Sequence, residues 1–308
     1  MRGITALAIV IAAAAPGALP ARQGEVPPAT TTDSTLAFDD AASRMTVPVT
    51  IGSTGPYAFI IDTGAERTVI SRELAATLGL SPGPDVRMTA MTGTSNVGTV
   101  VIPSLNVSKI TSKPIEAPAL LSANLGAPGM LGVDTLGGHS LSIDFETNTM
   151  TVRPSAKRGR EPIRNGDIVV RAKSVYGQLI VTQAYYKGRR VSVIIDTGSS
   201  VSMGNSALRA RMRSELKIPT PITLTSVTGD SMVADYTQVS RLDIGGVAFK
   251  NLPIAFSDVA PFRRFGLANE PALMLGMDAL RMFRKVDVDF ANREVRFALP
   301  RGLRPDAF

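Results

Sequence analysis

A chain of 308 residues that is 44% hydrophobic is long enough for one large core or two smaller ones and too apolar for a disordered class. It has no cysteine and a single histidine, which excludes disulfide frameworks, thiolate catalysis and Cys-ligated metal, and argues against zinc sites and a Ser-His-Asp triad. The formal net charge of +7 comes without interleaved aromatics or a nucleic-acid motif, so no nucleic-acid partner is expected.

The chain opens on MRGITALAIVIAAAAPGALPARQG, with one early cation, Arg2, and an uncharged run from Gly3 to Pro20 whose apolar heart is Ile4 to Ala15. This pattern predicts a secretory signal peptide over 1–21, with small-residue cleavage sites after Ala14, Ala18 or Ala21. The apolar heart is short for a membrane crossing. Export without disulfides fits the periplasm. Residues 22–44, rich in Thr, Pro and Ala, read as a flexible tether. The basic clusters, Arg153 to Arg164 and Arg209, Arg211 and Arg213, read as solvated linker and helix faces, and their charge is compatible with weak association with an anionic membrane surface.

The body then repeats one pattern. VPVTIGSTGPYAFIIDTG predicts a hairpin entering Asp62, and LIVTQAYYKGRRVSVIIDTG predicts a second entering Asp196. Helical stretches follow, SRELAATLGL and NSALRARMRSELKI, and then glycine-containing turns between strands, TAMTGTSNVGTVVI and TSVTGDSMVADYTQV. MLGVDTL at Met130 answers MLGMDAL at Met274, and LSIDFETNTMTV answers VDVDFANREVRF. Five matching elements in one order predict an internal duplication: lobes over 45–153 and 166–300, a charged linker over 154–165 and a tail over 301–308.

Each Asp-Thr-Gly follows a strongly apolar strand. A buried carboxylate is costly, and two brought together are costlier unless they share a proton. Sharing leaves one ionised, able to take a proton from water, and one neutral, able to protonate a carbonyl; such a pair calls for no metal or other cofactor. Gly64 and Gly198 permit close backbone approach, and the Thr63 and Thr197 hydroxyls can bond across a two-fold junction.

IIDTGAERTVI and IIDTGSSVSM, each followed by Met-Leu-Gly, resemble the retropepsin-like and pepsin-like aspartic proteases, most closely the bacterial exported type. The resemblance covers most of 45–300. It implies an all-β bilobal acid-protease fold with a cleft between two barrel-like lobes, Asp62 and Asp196 as the dyad, and Thr63, Gly64, Ala65, Thr197, Gly198 and Ser199 as its support. The turns Met91 to Asn96 and Val227 to Met232 would be flaps over an extended polypeptide substrate, with Met91, Thr92, Gly93, Val227, Thr228 and Gly229 at the substrate. A monomer with an internal pseudo-two-fold and aspartic endopeptidase activity is implied, and the competing reading is an inactive peptide- or envelope-polymer-binding module on the same fold.

Some positions depart from symmetry. Ala65 stands where the second motif has Ser199, whose hydroxyl is expected to donate to Asp196 and keep it ionised while Asp62 holds the proton. Gly204 stands where the first loop has Ile70, which costs an apolar contact, and no flap tyrosine is evident in the first half. Asp134 and Asp278 read as helix caps. His139, in LGGHSL, reads as an exposed turn residue, and SELK (Ser214 to Lys217) as a surface pair on the second helix.

Overall fold

The computed structural model describes residues 44–108, 110–155 and 167–302, together with the backbone of 5–7, 12–13, 35–37 and 39–41. The predicted signal peptide, tether, linker and tail lie wholly or largely outside the described residues. Arg44, which the sequence reading placed in the tether, opens the first strand of the body and is 1% exposed.

The duplication is a duplication of register. Strands Arg44–Ile51 and Thr54–Ile61 pair antiparallel with Thr46 opposite Ile60 and Val47 opposite Phe59. Strands Gln178–Tyr186 and Arg189–Ile195 pair with Ile180 opposite Ile194 and Val181 opposite Val193. In each lobe the second strand ends with its apolar residues buried, Phe59 to Ile61 and Val193 to Ile195, and delivers the aspartate into the interior. A third segment then threads between the strands flanking that loop. Gly129–Leu131 runs parallel to Phe59–Ile61 and antiparallel to Val69 and Ile70, and Ala272–Leu275 does the same between Ser192–Ile195 and Met203–Gly204.

Gly204 is answered by its neighbour. In the first lobe Ile70 pairs with Ala119; at the equivalent register of the second, Gly204 pairs with Phe256. A Cβ on Gly204 would come within 2.6 Å of the Phe256 ring. Bulk has moved from one strand to the next, so the apolar contact is kept, as a volume-conserving exchange allows.

Helices Arg72–Thr77 and Ser206–Met212 are capped by Ser71 and Asn205, whose side chains accept from the Leu74 and Leu208 amides. The second is shorter than predicted. Past Met212, tertiary contacts override helix propensity: Glu215 accepts from Tyr186 and Ser240 and pairs with Lys187, and Lys217 donates to Gln238. Ser214 to Lys217 is therefore not on a helix.

The lobes share a sheet. Hairpin His139–Asp144 and Thr149–Pro154 from the first joins Lys285–Asp289 and Glu294–Ala298 from the second, with Ser140 opposite Asp289 and Asp144 opposite Lys285. His139 is the first residue of a half-buried strand, not an exposed turn residue, because it pairs with Pro154. Phe283 stacks on Phe297 at 4.5 Å and meets Phe249 edge-on at 5.3 Å in the core beside this sheet; each buried ring contributes about 2–3 kcal/mol. The outcome is an all-β molecule of two lobes. Among the described residues no helix is long and apolar enough to cross a membrane.

Candidate active site

Both Asp-Thr-Gly loops meet at the junction of the lobes, 134 positions apart in sequence. The Thr63 amide donates to the Thr197 hydroxyl at 3.1 Å, and the Thr197 amide to the Thr63 hydroxyl at 3.2 Å. Each hydroxyl donates onward to a carbonyl of the opposite lobe, Thr63 to Ile195 and Thr197 to Ile61, both at 2.8 Å. Four hydrogen bonds lock one loop to the other, and both amides and both hydroxyls of the threonine pair use their donor in them.

The glycines let the carboxylates approach. A Cβ on Gly64 would lie 2.8 Å from Asp196 Oδ1, and one on Gly198 would collide with the Asp62 carboxyl. Each glycine is thus the wall against which the other lobe's aspartate rests. The Gly64 amide donates to Asp62 Oδ1 at 2.8 Å, and the Gly198 and Ser199 amides to Asp196 Oδ1 at 3.1 and 3.2 Å. Both Oδ2 atoms are buried with no donor from the described residues, so the bond open to them is a proton passed between the two carboxyls.

The sequence expectation for the order of ionisation rested on the Ser199 hydroxyl, and that bond is not made. Burial pushes both carboxyls up, Asp62 to about 7 with the Gly64 amide, Asp196 and the Arg44 charge holding it down, and Asp196 raised by burial and then by the Asp62 charge, so the two titrate as one coupled pair. The Ser199 hydroxyl does not donate to Asp196. It turns away and donates to the Val201 carbonyl at 2.6 Å, so only the Ser199 backbone serves the dyad. Ala65, opposite in the first lobe, is buried and packs with Met88, Ala90 and Val227.

Asp134 and Asp278 are not the expected helix caps, because Gly132 and Gly276 hold the N-cap positions and make no side-chain cap bond. Each sits in the first turn of a short helix begun by a glycine, and Oδ1 accepts both from the next residue's amide and from the loop that follows the dyad. Asp134 takes the Thr68 amide and hydroxyl at 2.8 and 2.7 Å; Asp278 takes the Ser202 amide and hydroxyl at 3.0 and 2.6 Å. They anchor the loops from behind. Their placement two residues after each Met-Leu-Gly glycine was visible in sequence, but their partners were not.

The two turns expected to be flaps lie on hairpins, Val86–Thr89 with Thr94–Val97 and Thr220–Thr225 with the start of Ser231–Ile244. Their tips cross. Met91 is buried in a cluster with Leu224, Phe262 and Phe265 of the second lobe, and its carbonyl accepts from the Ala260 amide. Val227 is buried among Ala65, Val69 and Leu125 of the first. Thr92 reaches Asp230 at 3.4 Å, Thr228 reaches it at 3.0 Å, and Gly229 abuts Asn124. Gly93 faces open space at the first turn. Behind the flaps, Glu66 pairs with Arg264 at 2.6 Å, whose guanidinium lies 4.0 Å over the Tyr176 ring, a further tie between lobes.

The family model described as Aspartyl protease matches residues 47–135 and 182–279, one stretch in each lobe and each containing its Asp-Thr-Gly loop. The chain belongs to the aspartyl protease family. Among solved structures, this protease is similar to a retropepsin-like aspartic protease from Rickettsia conorii, at 19% identity and a TM-score of 0.31, over 43% of this chain and 89% of that one. No curated protein matches. The protease has both motif aspartates buried at one junction, and the segment that flanks each is the one the family model covers.

Proposed function

We propose that this member of the family is an aspartic endopeptidase, exported to the periplasm and acting as a monomer, that cuts extended polypeptides with a water activated between Asp62 and Asp196. The observation that carries the reading is the reciprocal threonine bonding, which holds two otherwise unpaired carboxyl oxygens against each other at the lobe junction. Asp62, ionised, takes a proton as the water oxygen attacks the scissile carbonyl carbon, and Asp196 gives its proton to the carbonyl oxygen. Asp62 then passes its proton to the leaving nitrogen as the C–N bond breaks, and Asp196 recovers one from the collapsing diol. No metal or covalent intermediate enters.

An extended substrate is supported by the flap edges. The chain's own Thr5–Leu7 pairs parallel with Arg87–Thr89, and Ala12–Ala13 pairs antiparallel with Leu224 and Thr225. A strand crossing a two-fold axis runs parallel to one symmetric edge and antiparallel to the other, and with the leader removed both edges can take another chain. The Met91 and Val227 clusters, apolar on both sides, favour hydrophobic side chains near the cut.

The test is cleavage of a diverse peptide library by residues 22–308 between pH 3 and 8, beside Asp62→Asn and Asp196→Asn. Cleavage by the parent and silence of both variants is the expected result. A folded parent that binds peptides and cuts none at any pH overturns it in favour of a binding module.

A further inference from the structure

Between Lys187 and Lys217 the chain carries seven cations, and apart from the buried Asp196 its one carboxylate is Glu215. The fold brings the two ends of this stretch together. The turn that joins strands Gln178–Tyr186 and Arg189–Ile195 presents Lys187, Arg189 and Arg190, all exposed. Helix Ser206–Met212 ends against that turn. The Arg211 guanidinium donates to the Arg190 carbonyl at 2.7 Å, and Glu215, just past the helix, pairs with Lys187 and accepts from Tyr186 and Ser240.

Counter-charge runs out on this surface. Glu215 is committed to Lys187, Asp235 to Arg209 at 2.7 Å, and Asp243 on the neighbouring strand to Arg241. Among the described residues Arg189, Arg190 and Arg213 have no carboxylate partner, and Lys217 donates to the uncharged Gln238. A helix C-terminus favours cations by itself, which accounts for Arg211 and Arg213. It does not account for the three cations of the hairpin turn, which the fold holds against that same end although like charges repel.

The same surface carries the two most exposed large hydrophobic side chains among the described residues, Ile218 at 94% and Val233 at 64%. The Thr237 hydroxyl donates to the Lys217 carbonyl at 3.0 Å, so the turn holding Ile218 is fastened to strand Ser231–Ile244. Val233 stands on that strand two residues before Asp235, the partner of Arg209, and alternate residues share one side. Ala234, between them, is buried in the cluster beneath. Two separate aliphatic side chains set among cations offer too little apolar area for a protein partner to bury. They suit a lipid interface, where insertion of an apolar group and attraction to anionic headgroups add.

We propose that this face of the second lobe docks on an anionic phospholipid bilayer, with Arg189, Arg190 and Arg213 at the headgroup phosphates and Ile218 inserted beside them. The surface shares no residue with the dyad or its supporting loops, so the inference stands whether or not the chain cuts peptides.

The test is flotation of residues 22–308 with vesicles of phosphatidylcholine alone, and of phosphatidylcholine and phosphatidylglycerol in equal parts. Starting at residue 22 removes the apolar leader, which would bind either bilayer. The parent should float with the anionic vesicles only and be released by high salt, which shortens the reach of surface charge. The triple variant Arg189→Gln, Arg190→Gln and Arg213→Gln should bind at least about tenfold more weakly. A control triple of the same net charge, Lys113→Gln, Arg171→Gln and Lys173→Gln, alters exposed cations elsewhere and should lose about twofold or less. Ile218→Ser should weaken binding severalfold and melt like the parent, since nothing covers that side chain.

A parent that ignores anionic vesicles overturns the proposal. So does an equal loss in both triples, which would reduce the attraction to net charge. Binding of soluble polyglutamate that depends on Arg189 and Arg190, without binding of vesicles, would assign the surface to an acidic polypeptide instead. Undiminished vesicle binding by Ile218→Ser would remove the insertion and overturn the docking as stated.

Discussion

Thr63 and Thr197 each donate the backbone amide to the other's hydroxyl and their own hydroxyl to a carbonyl of the opposite lobe. All four groups are buried, so cutting the network leaves desolvated partners behind. Thr63→Val and Thr197→Val, which keep shape and remove the hydroxyl, should each cost about 2–4 kcal/mol of stability. In a double-mutant cycle followed by denaturant melts, the two should couple by more than about 1 kcal/mol. Strict additivity would show that the hydroxyls act separately.

Asp62 and Asp196 share one catalytic task, so their removal should not be additive. Asp62→Asn and Asp196→Asn should each lower kcat by roughly 10³-fold or more, and the double variant should be little worse than either. Steady-state kinetics on one good peptide decides it. A single variant that keeps a tenth of parental kcat would place the chemistry elsewhere.

The raised dyad pKa values make a signed prediction about stability. Between the ordinary 3.8 and about 7 for Asp62 the folded protein holds protons that the unfolded chain releases, so the dyad's contribution is present at low pH and lost as pH rises through that window. Asp196→Asn removes a buried group that must otherwise take up a proton on folding at neutral pH, and should be more stable than the parent by about 1–3 kcal/mol at pH 7 and not at pH 4. The acid limb of kcat/KM should likewise lie above the ordinary aspartate value, because Asp62 must ionise for turnover. Thermal melts at both pH values test the first and a pH–rate profile the second; a gain that is larger at pH 4 would reverse the assignment.

Met91 and Val227 seat each flap tip in the opposite lobe. Met91→Ala and Val227→Ala should loosen closure, raising KM several-fold, with a stability loss of about 1–3 kcal/mol, less than full core truncation because a flap tip relaxes. Peptide kinetics set beside hydrogen exchange at Thr89 and Thr94 would detect both effects. Unchanged KM with increased exchange would mean that the tips lock the free protein only.

The exchange of bulk between Ile70 with Ala119 and Gly204 with Phe256 predicts a rescue. Gly204→Ile alone should overpack against the ring, at about 1–3 kcal/mol, and Phe256→Ala alone should open a cavity at about 3–5 kcal/mol. Combined, they should recover to within about 1–2 kcal/mol of the parent. A double variant worse than both would show that the strands do not compensate.

Much of the fold was legible because it is written twice. Five elements in repeated order, with the apolar strand leading to Asp62 and again to Asp196, carry the lobes, the flaps and the dyad, since local alternation and turn chemistry recur wherever the residues do. Reading one lobe at a time failed where a side chain's partner lies far away in sequence. Ser199 offered a hydroxyl to Asp196 on local grounds, yet the Val201 carbonyl takes it. Residues 213–217 looked helical until Tyr186 and Ser240 claimed Glu215.

Arg44 marks the same division. A single arginine after a Thr- and Pro-rich run reads as the end of a tether, and only the pairing of Thr46 with Ile60 carries it into the interior. By itself, the sequence determined that two carboxylates would be buried in two similar lobes, because periodicity and turn residues act over a few positions. How the Ser199 hydroxyl is spent, how the hairpin tips cross and why Arg44 is buried were decided by tertiary structure, because charge, burial and hydrogen-bond competition depend on neighbours that sequence distance does not reveal.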